Sequence, residues 1–155
     1  MNIKLKISSI CFLSFLYLSC GYQIKNFETV AEFQHEGFIN SNIYQTLIVS
    51  QPEKDIVGHV NQRDSAYMNA KKNLSDIVAG NLAKYCINKK STSLPGNTKI
   101  SEESEAKLKE KLHKYVNYGK IIFEYYNENN SVVLGYRIKK NGLKFEIDSL
   151  SFDIK

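Results

Sequence analysis

The 155-residue chain predicts an α+β domain, with a long helix and a shorter helix packed on one face of a small antiparallel sheet. Three observations predict it. Ile43 to Ser50 is a short run rich in β-branched and aromatic residues; the apolar residues from about Gln62 to Ile87 recur at helical spacing; and beyond Gly119 they recur at every second position. The predicted order is strand, helix, helix, three-stranded meander. A composition of 43% hydrophobic residues, with ten Tyr and eight Phe, belongs to a packed domain and not to a disordered chain.

In chain order, the strand IYQTLIVS ends at Gln51-Pro52, since proline cannot donate to a ladder. Residues Pro52 to Asn61 read as a loop. In the helix that follows, Ala66, Ala70, Leu74, Ile77, Val78, Leu82 and Tyr85 fall on one side, and its length of ~35 to 40 Å spans the face of a small sheet. Asn81 projects into that apolar stripe, where an unpaired amide costs ~1 to 3 kcal/mol, so it requires a strand group, a buried water or a ligand as partner.

Lys89 to Lys99 reads as a loop, and Ser101 caps a second helix that carries Glu102 and Glu103 in its first turn. Leu108, Leu112, Tyr115 and Val116 form its apolar stripe, and Gly119 is expected to end it. Ile121, Phe123 and Tyr125 then share one face of a strand, Asn127 to Asn130 turn the chain, and Val132, Leu134, Tyr136 and Ile138 share a face on the way back. Asn141-Gly142 has the form of a second hairpin turn, leading to a third strand through Leu143, Phe145 and Ile147. The shift to Leu150, Phe152 and Ile154 implies a bulge near Ser149 or a separate terminal strand.

Ahead of the domain, Lys4 and Lys6 precede an uncharged run from Ile7 to Leu18 and then Ser19-Cys20-Gly21, the layout of a secretory leader. Twelve residues of helix rise only ~18 Å against a hydrocarbon core of ~30 Å, which disfavours a permanent membrane span. The residues YLSC resemble the lipobox of bacterial lipoproteins, in the relaxed form of some spirochaete proteins, with Tyr17 and Leu18 where an aliphatic and a small residue are usual. That resemblance implies acylation of Cys20, and two or three acyl chains on one residue hold a protein to a membrane permanently. An ordinary leader cut after Gly21 also satisfies the small-x-small rule. The expected organisation is a signal peptide over 1–19, a lipidated Cys20 and tether over 20–42, and one α+β domain over 43–155.

With Cys11 in the leader and Cys20 acylated, Cys86 alone remains, which excludes an internal disulfide and leaves a buried thiol or a pairing between chains. Of 21 basic residues, removal of Lys4 and Lys6 leaves 19 against 16 acidic ones, a charge of about +3 that does not indicate nucleic acid. Lys107, Lys109 and Lys114 each follow Glu103, Glu105 or Glu110 by four residues, as on a solvated helix. His35, His59 and His113 lie apart, without ligand spacing for a metal, and no motif implies a cofactor or a catalytic nucleophile. His59 with Asp64, and Asn81 beyond them, are the residues around which an exported hydrolase would have to be built.

If Ile121, Phe123 and Tyr125 face the helices, then Ile122, Tyr126, Val133 and Arg137 form an outward patch, either a contact surface of the aromatic and arginine composition typical of interfaces or a face covered by a second sheet or the tether. The stretch RDSAYMNAKKNLSDIVAGNL from Arg63 to Leu82, with its four-residue steps Ala66, Ala70 and Leu74, the strand before it and the hairpin after it, resembles the LPP-twenty family of bacterial lipoproteins. The resemblance implies a helix-over-sheet domain displayed on an outer membrane or cell surface, sometimes self-associating, with no catalytic residues. The expected function is that of a non-catalytic, lipid-anchored envelope protein that binds itself or an envelope partner; an exported hydrolase and a surface adhesin are the alternatives.

Overall fold

In the computed structural model, which describes residues 35–92 and 101–152, the chain forms a four-stranded antiparallel sheet with three helices. The strands are β1 (Gly37–Asn40), β2 (Ile43–Ser50), β3 (Gly119–Tyr126) and β4 (Val132–Lys139), and the helices are α1 (His59–Ser91), α2 (Glu102–Val116) and α3 (Leu143–Asp148). The expected leader, Cys20, residues 93–100 and Ile154 lie outside the described residues.

The strand order is β1-β2-β4-β3, and β2 meets β4 in an unbroken register from Ile43 opposite Lys139 to Ser50 opposite Val132. Tyr44, Thr46 and Ile48 on β2 and Val132, Leu134, Tyr136 and Ile138 on β4 point to one face, where all are buried. Against that face pack Ala66, Ala70, Val78, Ala79, Leu82 and Ala83 of α1, then Leu108 and Leu112 of α2. Four buried alanines bring the α1 backbone close to the sheet, and at 33 residues the helix is about 50 Å long. It continues through Asn88 to Ser91, so its last turn takes in residues expected in the following loop.

Two expectations are corrected by β4's position. The predicted third meander strand is the helix α3, because both hydrogen-bonding edges of β4 are already taken, by β2 and by β3. Leu143 and Ile147, four residues apart, are buried, while Phe145 between them is 78% exposed; the alternation read at every second residue concealed a helical pair. In Asn141-Gly142 only Gly142 has positive φ, at 67°, so no type I′ turn forms. The β1–β2 turn binds this corner instead: Asn42 Oδ1 accepts from the Gly142 N–H at 2.8 Å, and the carbonyls of Asn42 and Ser41 accept from the Lys140 and Lys144 N–H groups. The sheet also begins earlier than expected, since β1 lies in the stretch read as tether.

Gly119 does not cap α2, which ends at Val116 with Asn117 in helical conformation. It opens β3 opposite Ile138, and a Cβ there would stand 2.3 Å from the ring of buried Tyr136, whose hydroxyl donates to the Val116 carbonyl at 2.7 Å. The glycine is required by close approach and not by conformation. Across the molecule, Asp148 of α3 accepts from Tyr85 at 3.1 Å and pairs with Lys89 at 2.5 Å and Lys144 at 2.7 Å. Burial raises the Asp148 carboxyl, but hydrogen bonds from Lys144, Lys89 and Tyr85 together outweigh it and hold the group below its ordinary range.

Gly119→Ala should therefore cost ~1 to 3 kcal/mol in urea unfolding, as an overpacked site does, and an unchanged midpoint would show that the Tyr136 ring moves aside freely. Asp148→Asn should lower the melting temperature at neutral pH. A carboxyl depressed in the folded state stabilises above its unfolded value of about 3.9 and loses that contribution as pH falls through the folded value, so the gap between the two proteins should narrow below about pH 4.

Candidate functional site

The face of the sheet opposite the helices carries Gln45, Leu47 and Val49 from β2, Val133, Gly135 and Arg137 from β4, and their partners Lys120, Phe123 and Tyr125 from β3. Three of the four residues expected on a contact surface lie on this face, Ile122, Val133 and Arg137, but Val133 is buried and not open to contact. Tyr126 does not lie there. A bulge between Ile121 and Phe123 puts one extra residue into β3, so every side chain beyond it changes face.

The consequence is specific. Ile121, opposite Tyr136, packs on the helix-facing core as expected, but Phe123 and Tyr125 turn outward opposite Gly135 and Val133. Tyr126 turns inward against the core, with the guanidinium of Arg63 5.5 Å from its ring centroid. Burial, then the carboxylates of Glu124 and Asp64, raise its hydroxyl above its ordinary value. Gly135 makes the outward turn of Phe123 possible, because a Cβ at that position would lie 2.0 Å from the Phe123 ring.

The outer face has two distinct ends. At one, Val49 is 59% exposed beside Val133 and Tyr125; at the other, Lys120 stands opposite Arg137, with Lys139 two residues further along β4. At the cationic end, opposite Arg137, lies Gln45, fully buried. Its Oε1 accepts from Arg137 Nε at 3.0 Å and Nη2 at 2.8 Å, and its Nε2 donates to the His35 carbonyl at 2.8 Å. An amide rarely occupies such a position without a full set of partners, and this one is supplied by strand neighbours that sequence spacing does not reveal.

The residues considered for an enzyme do not converge. His59 and Asn81 sit on the same helix, 22 residues and thus about 33 Å apart, so they cannot share one site. His59 Nδ1 lies 3.1 Å from Asn130 Nδ2, and the same amide donates to Gln62 Oε1 at 2.6 Å, which ties the start of α1 to the β3–β4 turn. Asn81 Nδ2 donates to Thr46 Oγ1 at 2.7 Å, and Thr46 in turn donates to Glu36 Oε1. The amide in the apolar stripe thus has a strand partner.

His113 bridges Ser75 Oγ at 3.0 Å and Asp76 Oδ1 at 3.2 Å, a serine–histidine–aspartate contact that sequence reasoning missed. Ser75 and Asp76 are adjacent on α1, Asp76 also meets Lys109, and the side chains are open to solvent, so the cluster is an exposed contact that joins α1 to α2. Cys86 is buried, and burial followed by the Asp148 carboxylate pushes its thiol up to about 11, which keeps it protonated and unreactive. It lines a pocket of about 260 Å³ with Lys89, Ile147 and Phe152.

Among the described residues no group of three His, Cys, Asp or Glu side chains could hold a metal, and no helix is long and apolar enough to cross a membrane. Cys20 lies outside those residues. The chain matches no protein-family model, no curated protein and no solved structure. Asn81→Leu should change unfolding free energy by no more than ~1 kcal/mol, because Thr46 keeps Glu36 as acceptor; a loss above ~3 kcal/mol would show a larger role for Asn81.

Proposed function

We propose that the protein is a lipid-anchored component of a bacterial envelope, exported by its leader, attached through acylated Cys20, and non-catalytic. It acts by binding a second copy or an envelope partner through the outer face of the sheet. The observation that carries the reading is the pairing of a short leader ending in Ser19-Cys20 with a sheet whose helices occupy one face alone among the described residues. The opposite face offers exposed Val49, with half-buried Ile122 and Arg137, for contact.

The resemblance of Arg63 to Leu82 to the LPP-twenty lipoproteins supports the same reading. A catalytic alternative has less support, since His59, Asn81 and the His113 cluster are separate and each is engaged in holding elements together. Two or three acyl chains bind a bilayer far more strongly than any surface contact of a domain this size. In cells, Cys20→Ala should therefore move the protein from the detergent phase to the aqueous phase on phase separation; a variant that still partitions with detergent overturns the anchor.

A further inference from the structure

Asn141-Gly142 forms the corner at which the chain leaves β4 for α3. An Asn-Gly pair carries chemistry of its own. The backbone nitrogen after the asparagine can attack the side-chain amide carbon, closing a succinimide ring as ammonia leaves, and water then opens the ring to aspartate or isoaspartate. Glycine favours the attack because it has no side chain to obstruct it. Asn141 is exposed, so water reaches it.

The fold engages the attacking nitrogen elsewhere. The Gly142 N–H donates to Asn42 Oδ1 at 2.8 Å, an acceptor supplied by the turn between β1 and β2, 100 residues away in the chain. To act as nucleophile the nitrogen must lose its proton and swing over Asn141 Cγ, and both steps require the bond to Asn42 to open. An amide oxygen is too weak a base to take that proton. Asn42 is itself fixed, because its N–H donates to Asn40 Oδ1 at 2.9 Å and its carbonyl accepts from the Lys140 N–H at 2.9 Å. The Lys144 N–H donates to the Ser41 carbonyl at 2.9 Å, so the corner is pinned on both sides of Asn141.

We propose that Asn141 is a deamidation site that Asn42 holds closed, and that its conversion to isoaspartate loosens α3. The isoaspartyl linkage routes the main chain through the former side chain and lengthens it by one methylene. The added atom moves the Gly142 N–H off Asn42, directly before Leu143 and Ile147, the two residues of α3 buried in the core.

The test is an ageing series on the full chain, held in an uncharged detergent at mildly alkaline pH, where the backbone nitrogen loses its proton more readily. Peptide mass mapping follows loss of ammonia and gain of water at Asn141, and chromatography separates isoaspartate from aspartate. The native chain should convert at least about tenfold more slowly than the same chain unfolded in urea, because attack waits on local opening. Asn42→Ala should raise the native rate about fivefold, as loss of one hydrogen bond predicts. Ala66→Gly, which weakens α1 near the β3–β4 turn at the opposite end of β4, should leave the rate unchanged.

Equal rates in the native and urea-unfolded chains, or in Asn42→Ala and wild type, overturn the protection by Asn42. A rise in Ala66→Gly as large as that in Asn42→Ala overturns it too, since global unfolding would then control the rate. Amide exchange from Leu143 to Ile147 should be faster in the isoaspartate form than in the unconverted chain; equal exchange overturns the loosening of α3.

Discussion

β4 lies between β2 and β3 with a hydrogen-bonded neighbour on each side, and the rest of the described architecture follows from that position. Its inward residues, Val132, Leu134, Tyr136 and Ile138, form the floor on which α1 and α2 lie, and all are nearly inaccessible to solvent. With both edges of β4 occupied, the chain leaving Lys139 cannot add a strand beside it. It turns at Gly142 and forms a helix, whose Leu143 and Ile147 close the core beside β2.

A second constraint is close approach. Two of the three glycines in the strands have an aromatic ring in the space of their missing Cβ: Tyr136 over Gly119 and Phe123 over Gly135. The first ring faces the core and reaches the Val116 carbonyl at the end of α2; the second faces outward. The bulge between Ile121 and Phe123 lets one strand serve both faces with aromatic residues, and it twists an edge strand in a way that discourages pairing with other chains.

Polar side chains on the sheet divide along the same line. Inward, Thr46 links Asn81 of the long helix to Glu36 beside the edge strand, a hydrogen-bonded chain in which each group has a partner. Outward, Gln45 orients Arg137 and leaves a cationic row along β4 and β3. A buried amide on one face stabilises the fold; on the other it positions charge.

Much of the fold was legible in the residues. The span of β2, both long helices and the β3–β4 hairpin are written in local periodicity, which depends only on which neighbours along the chain must share a face. The expectation of an export leader over the first twenty residues, with Cys20 at its end, likewise rests on a linear pattern of charge, apolar run and small residues. What only the tertiary structure decided is non-local. Whether Leu143 to Ile147 is strand or helix depended on β2 filling the free edge of β4, and whether Tyr126 or Tyr125 faces outward depended on one extra residue in β3. The facing read from alternation therefore holds at Ile122, Val133 and Arg137 and is reversed at Tyr126, because a period of two carries no memory of its phase across a bulge; Val133 on that outer face is nonetheless buried.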